Sequence, residues 1–213
     1  MSTKMIFKVG QGKRCFEEEI VEYVGFPGFE VSQRQKSIIY LHSAITKKYP
    51  YAKVLEISTK SPLKEGADLS AFNLLIDGKP LECVFQSSKV FEGGEQFEFL
   101  IDAEPSEAKH FIRSIDKELT GFRYKDEDFP LVPKSLFYDY IYIKALMQSE
   151  KDLSYLKKYN VYTDIEFNEK KQINCQARSV AIFSYMLRND KLDYYTSSLE
   201  RFKELYRFQR SKK

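Results

Sequence analysis

The stretch Leu81-Glu82-Cys83-Val84-Phe85-Gln86-Ser87-Ser88-Lys89-Val90-Phe91 is closed at both ends by turn chemistry, and no other feature constrains the fold as tightly. Asp77-Gly78 is a tight-turn signal and Pro80 leads in. Gly93-Gly94 supplies a stop behind it. A segment framed in this way is expected to be one short helix. On a helix, Glu82, Phe85, Gln86 and Lys89 share a face, the outer two about two turns apart. An acid, a ring, an amide and an amine on one stripe suit the wall of a reactive pocket. They equally suit a solvated face with a surface ion pair worth well under about 1 kcal/mol.

The same punctuation divides the rest of the chain. Residues 1–25 read as extended, with Phe16, Ile20, Val21, Tyr23 and Val24 among glutamates, and Phe26-Pro27-Gly28 turns the chain. Ser32 reads as an N-cap with Gln35 at the capping-box position. Ile38, Leu41, Ile45 and Tyr49 follow at helical spacing until Pro50. Residues 54–57 and 72–76 read as short strands, with a polar loop over 58–68. Pro105 is expected to open a helix to about residue 118. Residues 122–133, rich in Asp, Glu and Pro, read as a loop. Pro133 begins a helix with Leu136, Phe137, Tyr140, Ile141 and Ala145 on one side, and a short helix covers about 151–159. Residues 160–174 read as an irregular polar loop, and 176–188 and 192–208 are helical by period. The sum is α+β: a single helix-dominated domain over residues 1–213 with a few short strands and a basic helical end from about 190.

Composition narrows the chemistry. A chain of 213 residues with 43% hydrophobic residues can bury a real core. Its 15 tyrosines suit half-wet surfaces as well as ordinary packing. A net charge of +3 is no nucleic-acid signature by itself. The last residues concentrate Arg201, Lys203, Arg207, Arg210, Lys212 and Lys213 against Glu200 and Glu204, which suits phosphate contact or a solvated helix end. Cys15, Cys83 and Cys175 are odd in number and widely spaced, which points to a reducing compartment. No apolar run approaches the roughly 18 residues of a membrane span, so a soluble cytoplasmic protein is expected, with no membrane partner. His42 and His110 have no ligand-spaced neighbours and read as surface or boundary residues, so no metal site is expected. Gly10 and Gly12 do not make a phosphate loop, and no nucleophile elbow is present.

Two further polar clusters stand out. Ser32-Gln33-Arg34-Gln35-Lys36 lies at a helix start, where free N–H groups can cap the helix or receive a phosphate. Thr163-Asp164-Ile165-Glu166-Phe167-Asn168, followed by Ile173-Asn174-Cys175-Gln176-Ala177-Arg178, mixes carboxylates and amides with apolar residues. Such a loop lines a site or simply makes caps and turns.

Taken in order, these segments resemble the NADAR (YbiA-like) family. Its pattern runs from a Leu-Ser-Asn-Phe element through Asp-Gly-Lys to Glu-His-x-Phe-Gln-x-x-Lys. This chain reads Leu69-Ser70-Ala71-Phe72, Asp77-Gly78-Lys79, then Glu82 to Lys89. Glu166 and Asn174 match the later Glu and Asn elements. Ala71 stands for the family asparagine and Cys83 for the histidine, and the Trp-Gly element is absent. More closely, the chain looks like the branch of antitoxins to DarT-type DNA ADP-ribosyltransferases. Four strings carry this: residues 31–37, 56–61, 85–91, and 163–168 with 173–178. The likeness spans roughly residues 19–187.

The resemblance implies a glycosidase with no cofactor that hydrolyses the N-glycosidic bond between ADP-ribose and guanosine in DNA. It would release ADP-ribose and reverse the lesion of a DarT-type toxin, its functional partner. Glu82 and Lys89 fall on the catalytic positions. Substrate contacts are expected at Ser32, Gln33, Lys36, Ser70, Phe72, Phe85, Gln86, Asp164, Glu166 and Asn174, with Phe85 stacking on a base. A lysine of ordinary pKa is neutral about once in 2,500 molecules at pH 7, a handicap of about 4.6 kcal/mol. So burial must lower the Lys89 pKa, or Glu82 must take its proton. Lys89 would then attack the anomeric carbon, or its ring-opened aldehyde, to form an imine while Glu82 shuttles protons; the alternative is direct attack by water with Glu82 as base and Lys89 holding charge. Two other classes compete. One is an N-glycosidase acting on a small ADP-ribose-like or riboflavin-pathway nucleotide. The other is a non-catalytic binder of ADP-ribose or toxin, for which the tyrosines of 137–142 and Tyr194-Tyr195 offer an interface.

Overall fold

The computed structural model describes residues 1–208. In chain order its strands and helices are β1 (Ser2–Val9), β2 (Phe16–Tyr23), α1 (Val31–Lys48), β3 (Val54–Glu56), α2 (Lys64–Ala67), β4 (Leu75–Ile76), β5 (Lys79–Pro80), α3 (Leu81–Ser87), β6 (Lys89–Phe91), α4 (Pro105–Arg113), β7 (Leu119–Tyr124), β8 (Glu127–Phe129), α5 (Leu136–Gln148), β9 (Val161–Thr163), α6 (Gln176–Arg188), α7 (Leu192–Thr196) and α8 (Leu199–Lys203). The fold is α+β. Arg210, Lys212 and Lys213 of the basic C-terminal run lie outside the described residues. Within them, Arg201 and Lys203 pair with Glu204 and Glu200 at 3.1 and 2.6 Å. Among the described residues, no helix is long and apolar enough to cross a membrane.

The backbone gathers into two compact units. The first comprises Met1–Ser70 and the chain from Lys151 onward. Its sheet has the order β2-β1-β9-β3, with β1 antiparallel to β2 and β9, and β3 parallel to β9. On β2, Val21 and Tyr23 point inward while Ile20 and Glu22 face water, the alternation of a half-buried strand. Ile38, Leu41 and Ile45 of α1, spaced three and four residues apart, pack on Ile6, Val21, Tyr23, Val161 and Ile165. Each such side chain contributes about 1.5–3 kcal/mol by leaving water.

Two expectations change here. The α1 N-cap is Glu30, without a side-chain cap bond, and Ser32 lies inside the first turn. The loop expected over 160–174 contains β9, a central strand. Val161 and Tyr162 are buried between neighbours on both sides, and a three-residue strand is too short to show a period.

The second unit is the continuous stretch Ala71–Glu150. It has a hairpin of β4 and β5, an antiparallel sheet β6-β7-β8, and helices α3, α4 and α5. Asp77 and Gly78 turn the first hairpin with φ of 52° and 76°, the left-handed pair that an Asp-Gly turn favours. Cys83 of α3 meets Ala108 and Ile112 of α4 in one core cluster with Phe91 and Leu100. Phe137 gathers the rings of Phe122 and Phe129 at 4.6 and 4.9 Å.

The expected 122–133 loop is largely the β7–β8 hairpin. Its turn residues Lys125 and Asp126 have φ of 50° and 61°, and Phe122 pairs with Phe129 across the ladder. The aromatic pair outweighs the polar composition that suggested a loop. The expected strand 72–76 shrinks to two residues, leaving Phe72 60% exposed.

Candidate active site

The predicted helix over 81–91 ends early. Ser88 N–H still donates to Val84 O at 3.1 Å, but Arg123 N–H takes the Ser88 carbonyl at 2.7 Å. That bond hands the chain to β6, where Lys89 pairs with Phe122 of β7. Glu82, Phe85 and Gln86 therefore stand on α3, and Lys89 opens the strand behind it.

The four side chains nonetheless converge. Gln86 Nε2 donates to Glu82 Oε1 at 2.7 Å, which fixes both the carboxylate and the amide. Gln86 is 4% exposed, and its Oε1 is the buried side-chain polar atom left without a partner among the described residues. Lys89 Nζ lies 5.0 Å from the centroid of the Phe85 ring. Phe85 packs against Phe122, Phe137 and Tyr138 with centroids 5.3–6.1 Å away and is 8% exposed. The ring is thus a largely buried platform beside the lysine amine.

Burial lowers the Lys89 pKa from 10.5 to about 8. The Glu82 charge pulls it back up, and the cations Lys109 and Arg113 of α4 push it further down. Among the described residues no ion pair joins Glu82 to Lys89; the two interact through space. A half-buried amine beside a fixed carboxylate is equipped for nucleophilic and proton-transfer chemistry.

In the first unit, Asp164 and Glu166 of the predicted residues stand on the 164–168 loop. Glu166 is exposed and pairs with Arg34 at 3.2 Å, and Arg34 also lies over the Phe29 ring at 5.4 Å. Lys4, Arg34, Glu166, Asn168 and Lys170 line a cavity of ≈ 320 Å³. Asp164 is buried and its Oδ1 accepts from Glu166 and Phe167 N–H at 3.0 and 3.2 Å. Burial and the neighbouring Glu56 charge push its pKa up to about 7. Ser70 Oγ donates to Gln176 Oε1 at 3.4 Å. Lys36 is exposed with Nζ 5.3 Å from the Phe26 ring, Ser32 is exposed, and Gln33 and Asn174 are half-buried.

Sequence reasoning missed the supports of this loop. Glu56, 1% exposed, accepts from Ser58 Oγ and from Ile165 N–H, both at 2.7 Å, and from Thr163 Oγ1 at 2.5 Å. Lys4, 8% exposed, donates to the carbonyls of Ile165 and Phe167 at 2.9 and 2.6 Å. His42, read as a surface or boundary residue, bonds Thr163 Oγ1 at 3.0 Å, and burial lowers its pKa to about 4. The usable signal was a charge inside an apolar run: Lys4 before Met5-Ile6-Phe7, and Glu56 within Val54-Leu55-Glu56-Ile57. Among the described residues no three His, Cys, Asp or Glu side chains gather as a metal ion needs.

Comparison with known families places the chain in a class first. A family model matches residues 2–213, and the class is that of the NADAR proteins. Within it, the chain belongs to the family of DarT1-associated NADAR antitoxins. Its role is therefore that of an antitoxin, and the partner of that role is a DarT-type toxin. A search of curated proteins finds no match.

Proposed function

We propose that this antitoxin is a cytoplasmic, metal-independent ADP-ribosyl glycohydrolase that removes ADP-ribose from guanosine in DNA. One observation carries the reading: the half-buried Lys89 amine, with its pKa lowered to about 8, beside Glu82. At that value roughly one lysine in ten is neutral at pH 7, against about one in 2,500 at the ordinary value. A surface ion pair would have moved the lysine the other way. Membership of the DarT1-associated antitoxin family supports a toxin-made lesion as the substrate.

In this reading the neutral Lys89 nitrogen attacks the anomeric carbon, and the bond from that carbon to the guanine nitrogen breaks. The proton lost by the lysine nitrogen travels through Glu82 to the departing guanine nitrogen. The lysyl–sugar adduct then ring-opens to an imine as the remaining nitrogen proton moves to the ring oxygen. Water adds to the imine carbon while Glu82 takes a proton from that water and gives it to the lysine nitrogen. Breaking the carbon–nitrogen bond frees neutral Lys89 and ADP-ribose carrying the water oxygen. Gln86 holds Glu82 in place for both transfers. Phe85 supports the amine from below. The substrate contacts assigned to Ser32, Gln33, Lys36, Ser70, Phe72, Phe85, Gln86, Asp164, Glu166 and Asn174 rest on the resemblance and belong to this proposal.

The test uses an oligonucleotide carrying ADP-ribosylated guanine and follows ADP-ribose release. Borohydride added during turnover should leave a sugar adduct on Lys89, and Lys89→Arg should lose more than about a hundredfold in rate. Release that persists in Lys89→Arg, with no trapped adduct, transfers the chemistry to water and Glu82. Release from free nucleotides alone points to a small-molecule N-glycosidase. Binding without release makes the protein a sequestering antitoxin.

A further inference from the structure

Helix α4 brings two cations to the Lys89 group, and the chemistry above leaves them unused. Ala108 and Ile112 of α4 pack on Cys83, the residue next to Glu82. Lys109 and Arg113 follow these two positions directly. Four residues apart, they share one helix face at the turns that grip α3. Carboxylates are abundant nearby in the chain, at Glu98, Asp102, Glu104 and Glu107. Of these, Asp102 is taken by Lys79, and neither Lys109 nor Arg113 forms an ion pair among the described residues. Lys109 is half-buried and Arg113 exposed, and both add to the repulsion felt by Lys89. Glu82 faces Lys89, but Lys109 and Arg113 have no ion-pair partner among the described residues, and two such cations on one helix face suit an anion from outside the protein.

We infer that Lys109 and Arg113 bind the diphosphate of the ADP-ribosyl group. The inference rests on the glycohydrolase reading for the identity of the ligand. In ADP-ribose the diphosphate lies one sugar away from the anomeric carbon. A group that holds it beside Lys89 therefore sets the anomeric carbon against the amine. The guanidinium of Arg113 suits two phosphate oxygens at once, and the Lys109 ammonium acts as a point charge. A diphosphate seated here also offsets the two cations that hold the Lys89 proton affinity down. Besides these, the charges and rings that face Lys89 are Glu82 and Phe85 of α3 and Phe122 of β7.

The experiment measures calorimetric binding of ADP-ribose and of free ribose to the full chain, then KM, kcat and the pH–rate profile on the modified oligonucleotide. The variants are Lys109→Ala, Arg113→Ala and Arg113→Lys. Either alanine variant should weaken ADP-ribose binding about tenfold or more at low salt, raise KM by a similar factor and change kcat by less than about threefold. The alkaline midpoint of kcat/KM should move upward in both, and Arg113→Lys should recover part of the affinity. A residue that only supports the fold would lower thermal stability without moving that midpoint. ADP-ribose affinity unchanged by both alanine variants overturns the inference, as does a wild-type protein that binds ribose as well as ADP-ribose. If the variants lose ADP-ribose affinity but the wild type releases nothing from DNA, the glycohydrolase reading fails and the diphosphate site stands.

Discussion

At the scale of single residues, Lys89 is a charge kept where water is scarce. Its folded pKa of about 8 lies below the 10.5 of a free lysine. Between those two values the unfolded chain binds more protons than the folded one. Stability from this group therefore rises with pH through that window and is lowest below about pH 8. Lys89→Met should raise the unfolding free energy at pH 7 by about 1–2 kcal/mol while abolishing ADP-ribose release; urea titration reads the first effect. The kcat/KM of the wild type should climb about tenfold per pH unit up to about 8 and then level off. That Glu82 and Lys89 lie close enough to feel each other's charge was legible in their spacing. Their environment was not. The ring beneath the lysine is held by Phe122, Phe137 and Tyr138, and the field around it includes Lys109 and Arg113, all distant in sequence from Phe85.

At the scale of elements, β3 and the 164–168 loop act as a pair. Glu56 and Asp164 accept the N–H groups of Ile165, Glu166 and Phe167, and Lys4 holds two of the loop's carbonyls. A Cβ on Gly66 would sit 2.0 Å from Glu56 O and 2.6 Å from Ser61 Oγ, so Gly66→Ala has to displace β3. It should cost about 1–3 kcal/mol and loosen the loop, seen as faster amide exchange at Ile165 and Phe167. The Asp164 pKa, pushed up to about 7, makes the opposite linkage to that of Lys89. The folded chain binds the extra proton, so stability from this group is full at about pH 4 and is lost as pH rises through 7. Asp164→Asn should flatten that slope in denaturation curves taken between pH 4 and 8. Helices α1 and α6 were legible because their apolar spacing repeats over several turns, and α4 because Pro105 marks its start. β6, β9 and the β7–β8 hairpin were not, because three to six residues carry too few periods and their pairing partners lie far along the chain.

At the scale of the whole molecule, a net charge of +3 limits how much DNA can be held by electrostatics. Affinity for the modified strand should fall with salt at a log–log slope of about −2, that of two or three neutralised phosphates. A slope near −8 would mean a long DNA track that this charge does not suggest. Strand order has a separate consequence, for synthesis. The strand that sits between β1 and β3 is made last of the four, after the whole of Ala71–Glu150. At ribosomal speeds, about 5–20 s separate the emergence of β3 from that of β9. Through that interval the nascent chain carries two open strand edges, each able to pair with another polypeptide. A message truncated before Val161 would therefore yield an aggregation-prone fragment with no shelter for Glu56, rather than a weaker antitoxin.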